Sequence, residues 1–250
     1  MIARKPEKRS FRADAKTLLH IPSYLLNTAA MTAMTFAIGG ISFWIPKYMT
    51  QRLALQSGLQ TRVALGDVSA LDQATKLLTE VNTTFGVIVV IAGILSTFAG
   101  GWLGDKLRPR IRGAYFIVSG AAILLAVPCT LAMLWLPFPY AWFAVFGAVF
   151  FLFFNTGPAN TALANVTSSR MRATAFALNI FLIHAFGDAV SPPLVGWVKK
   201  NSSWDTAFGL VSLMMVLASA LWFIGARYLA ADTEAMEKIE AEHEASATSA

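Results

Sequence analysis

The stretch TFGVIVVIAGILSTFAGGWLGDKLRPRIR, residues 84–112, decides the fold. From Thr84 to Leu103 it contains no charged side chain, and roughly 20 apolar residues are what a helix needs to cross about 30 Å of hydrocarbon. Asp105, Lys106, Arg108, Arg110 and Arg112 then crowd into the next few positions. An uncharged run that ends in a basic loop is a membrane span meeting water.

Five more runs of this kind lie at about residues 24–46, 114–136, 140–166, 173–198 and 207–229. They are too long for barrel strands and lack the alternating pattern. Composition agrees: 56% of the 250 residues are hydrophobic and 14% charged, against about 25% charged in soluble domains. That excludes a disordered chain, a disulfide-rich secreted domain and an ordinary cytosolic enzyme. The expected architecture is an all-α integral membrane protein. Residues 1–22 are read as a cytoplasmic linker segment, 23–230 as a six-helix transmembrane domain and 231–250 as an acidic cytoplasmic tail.

The basic N-terminus before an apolar run raises the question of a signal peptide. The run exceeds the usual 7–15-residue signal core and no small-residue cleavage site follows. Residues 1–22 are therefore read as staying with the protein, with Phe11, Ala15, Leu18 and Leu19 forming a short amphipathic stripe before Pro22.

Loop charge sets the orientation. Arg4, Lys5, Lys8, Arg9, Arg12 and Lys16 precede the first span, Lys106 to Arg112 follow the second, and Arg170 and Arg172 precede the fifth. All fall on one side, which places both termini in the cytoplasm; the membrane is expected to be a bacterial inner membrane. The long connection Thr50 to Val81 faces the other way. Leu71, Ala74, Leu78 and Val81 recur there at helical spacing, which predicts a short surface helix. The tail carries Glu234, Glu237, Glu240, Glu242 and Glu244 and is expected to be frayed. The net charge of +6 is no sign of nucleic-acid binding, because the cations sit between apolar runs rather than on one face. Cys129 reads as a small buried hydrophobe. No metal, cofactor or catalytic set stands out, so the chain is not read as an enzyme.

Three features carry chemistry. Gly86, Gly93, Thr97, Gly100 and Gly104 share one stripe of the second span and let another helix approach closely. At its end Gly101, Gly104, Asp105, Lys106 and Arg108 form a candidate cytoplasmic gate. Asp105 is expected to accept from Arg172, or else from Arg170; the other reading makes these charges topology signals only. In the fifth span His184, Asp188 and Ser191 occupy one face beside Gly187, Pro192 and Pro193, and consecutive prolines predict a helix break. Asp188 either binds a proton or polar substrate group, or ties His184 to broken backbone. Intramembrane ionisable residues usually face a bundle interior or a watery cavity. The third feature is a set of polar positions, Asn27, Thr28, Thr32 and Thr35 in the first span and Asn155 and Asn160 in the fourth, around Pro158, which predicts a second helix break. With His184 and Asp188 they are the candidate substrate-cavity residues; interhelical glue is the other reading for each. Phe150, Phe151, Phe153 and Phe154 either line an apolar cavity or face lipid.

The run Gly104-Asp105-Lys106-Leu107-Arg108 resembles the glycine–acidic–basic loop of the major facilitator superfamily, with Arg108 where glycine is usual and Pro109 where a basic residue is usual. Four further runs narrow the resemblance: Ile21-Pro22-Ser23-Tyr24, Phe43-Trp44-Ile45-Pro46, Met171-Arg172-Ala173-Thr174-Ala175, and Gly187-Asp188-Ala189-Val190-Ser191-Pro192-Pro193-Leu194-Val195-Gly196. Over residues 21–229 the chain resembles the C-terminal six-helix half of Spinster-type transporters. The resemblance implies alternating access, proton linkage and a substrate that is lysolipid- or sphingolipid-like or another amphipathic organic molecule. It also implies that the main proton-handling residues lie in the N-terminal half, which is missing here. The expected partners are membrane lipids, a small amphipathic substrate, and the missing half or a second copy of the chain. A non-transporting membrane module that assembles with or regulates a partner is the alternative.

Overall fold

The computed structural model describes residues 11–248; Arg4, Lys5, Lys8 and Arg9 of the basic cluster lie outside them. In chain order the described helices are α1 (Phe11–Leu18), α2 (Pro22–Gln56), α3 (Leu59–Ala64), α4 (Val68–Leu107), α5 (Ala114–Trp135), α6 (Tyr140–Phe153), α7 (Thr156–Asn165), α8 (Arg172–Ile183), α9 (Ser191–Asn201) and α10 (Trp204–Thr248). A π turn, His184–Asp188, joins α8 towards α9. Taken across these breaks, six segments are long and apolar enough to cross a membrane. No strand occurs among the described residues.

Helix α2 is the hub. It packs along α10 and also touches α4, α7, α8, the π turn and α9, while α5 fills the far side of α10 and leads to α6. Trp222, Tyr24, Phe116 and Phe208 are fully buried between these helices. The burial is uneven. About 61% of the first span is buried, against 17% of α4 and 22% of the span made by α8 and α9. On α4 the outward face carries Val87, Val90, Ile94 and Phe98, and on the fifth span Phe181, Phe186 and Trp197.

The connection between the first two spans is tighter than expected. Helix α2 runs on to Gln56, and α4 starts at Val68 and continues unbroken to Leu107, so the anticipated surface helix is the first part of α4 itself. No Gly or Pro interrupts residues 68–85, and Asp67 caps the start by accepting from the Ser69 and Ala70 amides. Ala54, Leu59 and Ala70 make a small core beneath the turn. The Asp67 carboxylate also accepts from the Ser69 hydroxyl at 2.7 Å and from Arg62 at 2.8 Å. Ser69 first, then Arg62, hold it down to about 2 from its usual 3.8. A depressed carboxyl stabilises the fold above its unfolded value, and that contribution is lost as pH falls through its folded value. Amide protection of residues 57–73, with the intrinsic pH dependence of exchange divided out, should therefore fall from about pH 4 down to about pH 2. An Asp67→Asn variant should exchange faster at pH 7 and lose this step; an unchanged step would show that Asp67 is not its source.

The sixth span also departs from expectation. The acidic tail is not frayed, since α10 continues through it to Thr248. Ala, Glu, Met and Lys are good helix formers, and Met236 is buried against the bundle. The side chains of His243 and Glu244 lie outside the described set. In the N-terminal stripe Leu18 is buried, whereas Phe11 and Leu19 are exposed. At the opposite end of the bundle Arg52 donates to the carbonyls of Met133 at 2.6 Å and Leu136 at 3.0 Å, closing the C-terminus of α5.

Candidate functional site

Two seams flank the core of the bundle, and proline chemistry builds both. In the fourth span Pro158 has no N–H to offer the Phe154 carbonyl, its i−4 partner. The helix breaks there into α6 and α7, and the freed Phe154 carbonyl is aimed at Gly100 of α4, where a Cβ would overlap its oxygen. One turn on, a Cβ at Gly157 would stand 3.1 Å from the Gly101 Cα. Asn155 is fully buried at the break and donates to the Leu152 carbonyl at 2.6 Å, while Asn160 donates to Thr156 at 2.8 Å.

In the fifth span Pro192 and Pro193 withdraw two donors from the turn before them. They sit at the start of α9, where the missing N–H groups are not needed. The backbone before them widens into the π turn, with the Ala189 amide bonded to the His184 carbonyl at 3.1 Å. Gly187 lets this turn lie against α2: a Cβ there would meet the Thr32 carbonyl at 2.9 Å and the Thr35 Cβ at 3.0 Å. A Cβ on Gly39 would in turn meet Ser191 Oγ at 2.5 Å and the Asp188 Cα at 2.8 Å. Trp44 donates to the Pro192 carbonyl at 2.9 Å. Thr32, Thr35 and Gly39 on α2 are thus the dock for Gly187, Asp188 and Ser191.

The candidate cavity residues divide. Asn27 is 1% exposed and both ends of its amide are used. It donates to the Ala159 carbonyl at 3.0 Å and accepts from the Trp222 indole at 2.8 Å, tying α2 to α7 and α10. Thr32 donates to the Thr28 carbonyl at 2.8 Å, and Thr28 and Thr35 are buried. His184 and Asp188 are different. Their Nδ1 and Oδ2 atoms are 2.9 Å apart, and 58% and 38% of the two side chains stand on the surface, midway along the span. Such a pair is costly in hydrocarbon and calls for a polar covering. Among the described residues, none of the five best-formed surface cavities, of 270–660 Å³, is lined by any of the eight candidate residues.

The gate pairing expected from the sequence is not the one observed. Tyr115, in the first turn of α5, donates to Asp105 Oδ1 at 2.8 Å, and Arg172 donates to the Thr167 carbonyl at 3.4 Å. The short loop after α4 folds Tyr115 back over Gly104, where a Cβ would touch its ring at 2.8 Å. Arg172 opens α8, which packs on α1, α2 and α7 instead. Arg170 is exposed, Arg108 lies 3.5 Å from Glu237, and Lys106 stacks over Trp102 at 4.5 Å. Sequence reasoning missed Tyr115, because a tyrosine ten residues on has no periodic link to an aspartate. It also missed Asn179, a buried amide on α8 facing Met31; an amide inside an otherwise apolar span was the available signal.

No family model matches the chain. Among curated proteins it is 30% identical over 217 residues to the probable sphingolipid transporter spinster homolog 3 of Arabidopsis thaliana, covering 86% of this chain and 38% of that protein. It is 28% identical to protein spinster homolog 3 of Danio rerio, over 92% of this chain and 48% of the relative. The chain is a spinster homologue. A solved bacterial homologue of the human lysosomal transporter spinster, inward-facing and unoccupied, superposes with a TM-score of 0.54 at 17% identity, over 95% of this chain and 53% of that one. The fold is accordingly that of about half of this solved chain, and the six apolar helices make it an integral membrane protein. This spinster-related chain spans less than half the length of the curated relatives it matches. The relatives are named for transport, not for an enzymatic reaction.

Proposed function

We propose that the chain is the C-terminal half of an alternating-access, proton-linked transporter of a lysolipid- or sphingolipid-like or other amphipathic molecule, acting with a complementary six-helix half. One observation carries this reading: α4 and the α8–α9 span are left bare, side by side with the most deeply buried span. Helices facing lipid alone have no use for Gly86 and Gly93, which stand with nothing within 4 Å of a Cβ, on the same stripe that Gly100 and Gly104 bury further down. A second bundle laid on that face covers the glycines and the His184–Asp188 pair together. The basic loops favour both termini in the cytoplasm, and the membrane proposed for the chain is a bacterial inner membrane.

The test is reconstitution of the chain with and without a complementary six-helix half, using a fluorescent lysophospholipid as probe. Uptake is expected only with both halves, and it should collapse when the proton gradient is dissipated. Two halves that neither associate nor transport would overturn the reading. Within the reunited protein, Asp188→Asn should lower uptake at least about tenfold with normal folding. Ionisable side chains at membrane depth usually serve a polar pathway, so this pair is better placed to act on a proton or polar group than to hold the half together. Unchanged uptake would return Asp188 to a structural part.

A further inference from the structure

The acidic end of α10 has, among the described residues, four contacts of interest that the transport reading does not use. Asp232 Oδ2 accepts from the Ser23 amide at 2.9 Å, and Glu240 Oε1 from the Ser169 amide at 2.6 Å. Glu237 lies 3.5 Å from Arg108, and Glu234 3.9 Å from Arg112. At 100° per residue the four carboxylates fan over about 200° of the helix. Three separate segments therefore receive them: the start of α2, the loop between α4 and α5, and the turn between α7 and α8.

The contacts are unequal. The two ion pairs are long and 52–88% exposed, so salt and side-chain entropy leave them weak. The two amide contacts are charge-assisted and short. The first falls where the chain supplies no cap of its own, since α2 is preceded by Ile21, which offers no side-chain cap. The second falls in the turn that leads into α8. The Ser23 amide is among the four that a helix start leaves without an intrahelical partner.

We infer that residues 230–240 form a strap: the last helix caps the first span in trans, pins the α7–α8 turn, and by spanning them holds the loop that carries Arg108 beside the Asp105–Tyr115 contact. The strap fixes the basic end of the half as one body. Its anchors are Asp232 and Glu240, and the ion pairs between them hold only while both anchors do. The strap stands whether or not the chain transports, because it is read from chain accessibility and not from flux.

Limited trypsin digestion of the purified full-length chain tests it. Cuts after Arg170 and Arg172 report on the α7–α8 turn, and cuts after Arg110 and Arg112 on the α4–α5 loop. Glu240→Ala is expected to speed cutting at 170 and 172 about tenfold, and at 110 and 112 at least about threefold, since proteolysis tracks local opening. Glu242→Ala, at an exposed neighbouring carboxylate, should leave every site within about twofold. Asp232→Ala should act from the other anchor with the same pattern; should that variant fail to fold, Glu240→Ala decides alone. Faster cutting confined to 170 and 172 overturns the strap, and so does a Glu240→Ala protein that digests like the wild type.

Discussion

Replacing Gly100 by alanine should unfold or displace α4, at a cost of about 3 kcal/mol or more. The added methyl has nowhere to go, because it meets the Phe154 carbonyl oxygen, carbon and ring together. Two of those three are main-chain atoms, held where the α6–α7 break puts them, so no rotamer change relieves the overlap. Gly93→Ala is the internal control: nothing lies within 4 Å of its Cβ, and alanine gains up to about 1 kcal/mol of helix propensity. Unfolding of the two variants in detergent, followed by steric trapping or denaturant titration, should separate them by several kcal/mol. Equal stabilities would mean that the α4–α6 contact is looser than the structure shows. In a reunited transporter Gly93 itself should come into play: Gly93→Leu is expected to block association of the halves while Gly93→Ala is tolerated.

The second large effect is expected at Asn27. Asn27→Leu keeps the volume but strands the Trp222 indole N–H, which is buried to 0% exposure and has Asn27 as its acceptor. A buried donor left without a partner costs about 1–3 kcal/mol, more than the roughly 0.6 kcal/mol that an average interhelical hydrogen bond is worth in a membrane. Adding Trp222→Phe removes the stranded donor, so the double variant should recover about half of the loss despite its smaller ring. A double-mutant cycle checks this. Strict additivity would mean that the two side chains do not cooperate. If Asn27 instead binds substrate, Asn27→Leu should leave stability unchanged and abolish uptake; the geometry favours loss of stability.

Much of the fold was legible because membrane burial writes long, unambiguous runs. Glycine spacing announced close helix contact on α4, and the proline positions announced both breaks, since a missing N–H at Pro158 or Pro192 has a local consequence readable from four residues away. Their partners were not legible. Gly100 meets a carbonyl 54 positions on, and nothing in the sequence says that Gly86 and Gly93 stay open while Gly100 does not. The polar stripe Thr28, Thr32, Thr35 was visible, but whether it meets a cavity or another helix depends on the π turn it receives. The tail was misjudged for a related reason. A run of carboxylates looks solvated until the amides that Asp232 and Glu240 receive are known, and Ser23 and Ser169 are too far away in sequence to suggest themselves. Asp105 went to Arg172 because charge attracts charge on paper; the nearest donor was a neutral phenol.

The Ser23–Asp232 contact also orders events in time. The two residues are 209 positions apart, so during synthesis the first span emerges and inserts with its leading amide unanswered. It waits until 209 further residues have been made before the carboxylate arrives. A reading frame cut short within α10 would therefore damage the first span as well as the last. The six helices are in this sense a closed circuit, completed only when the final segment returns to the start.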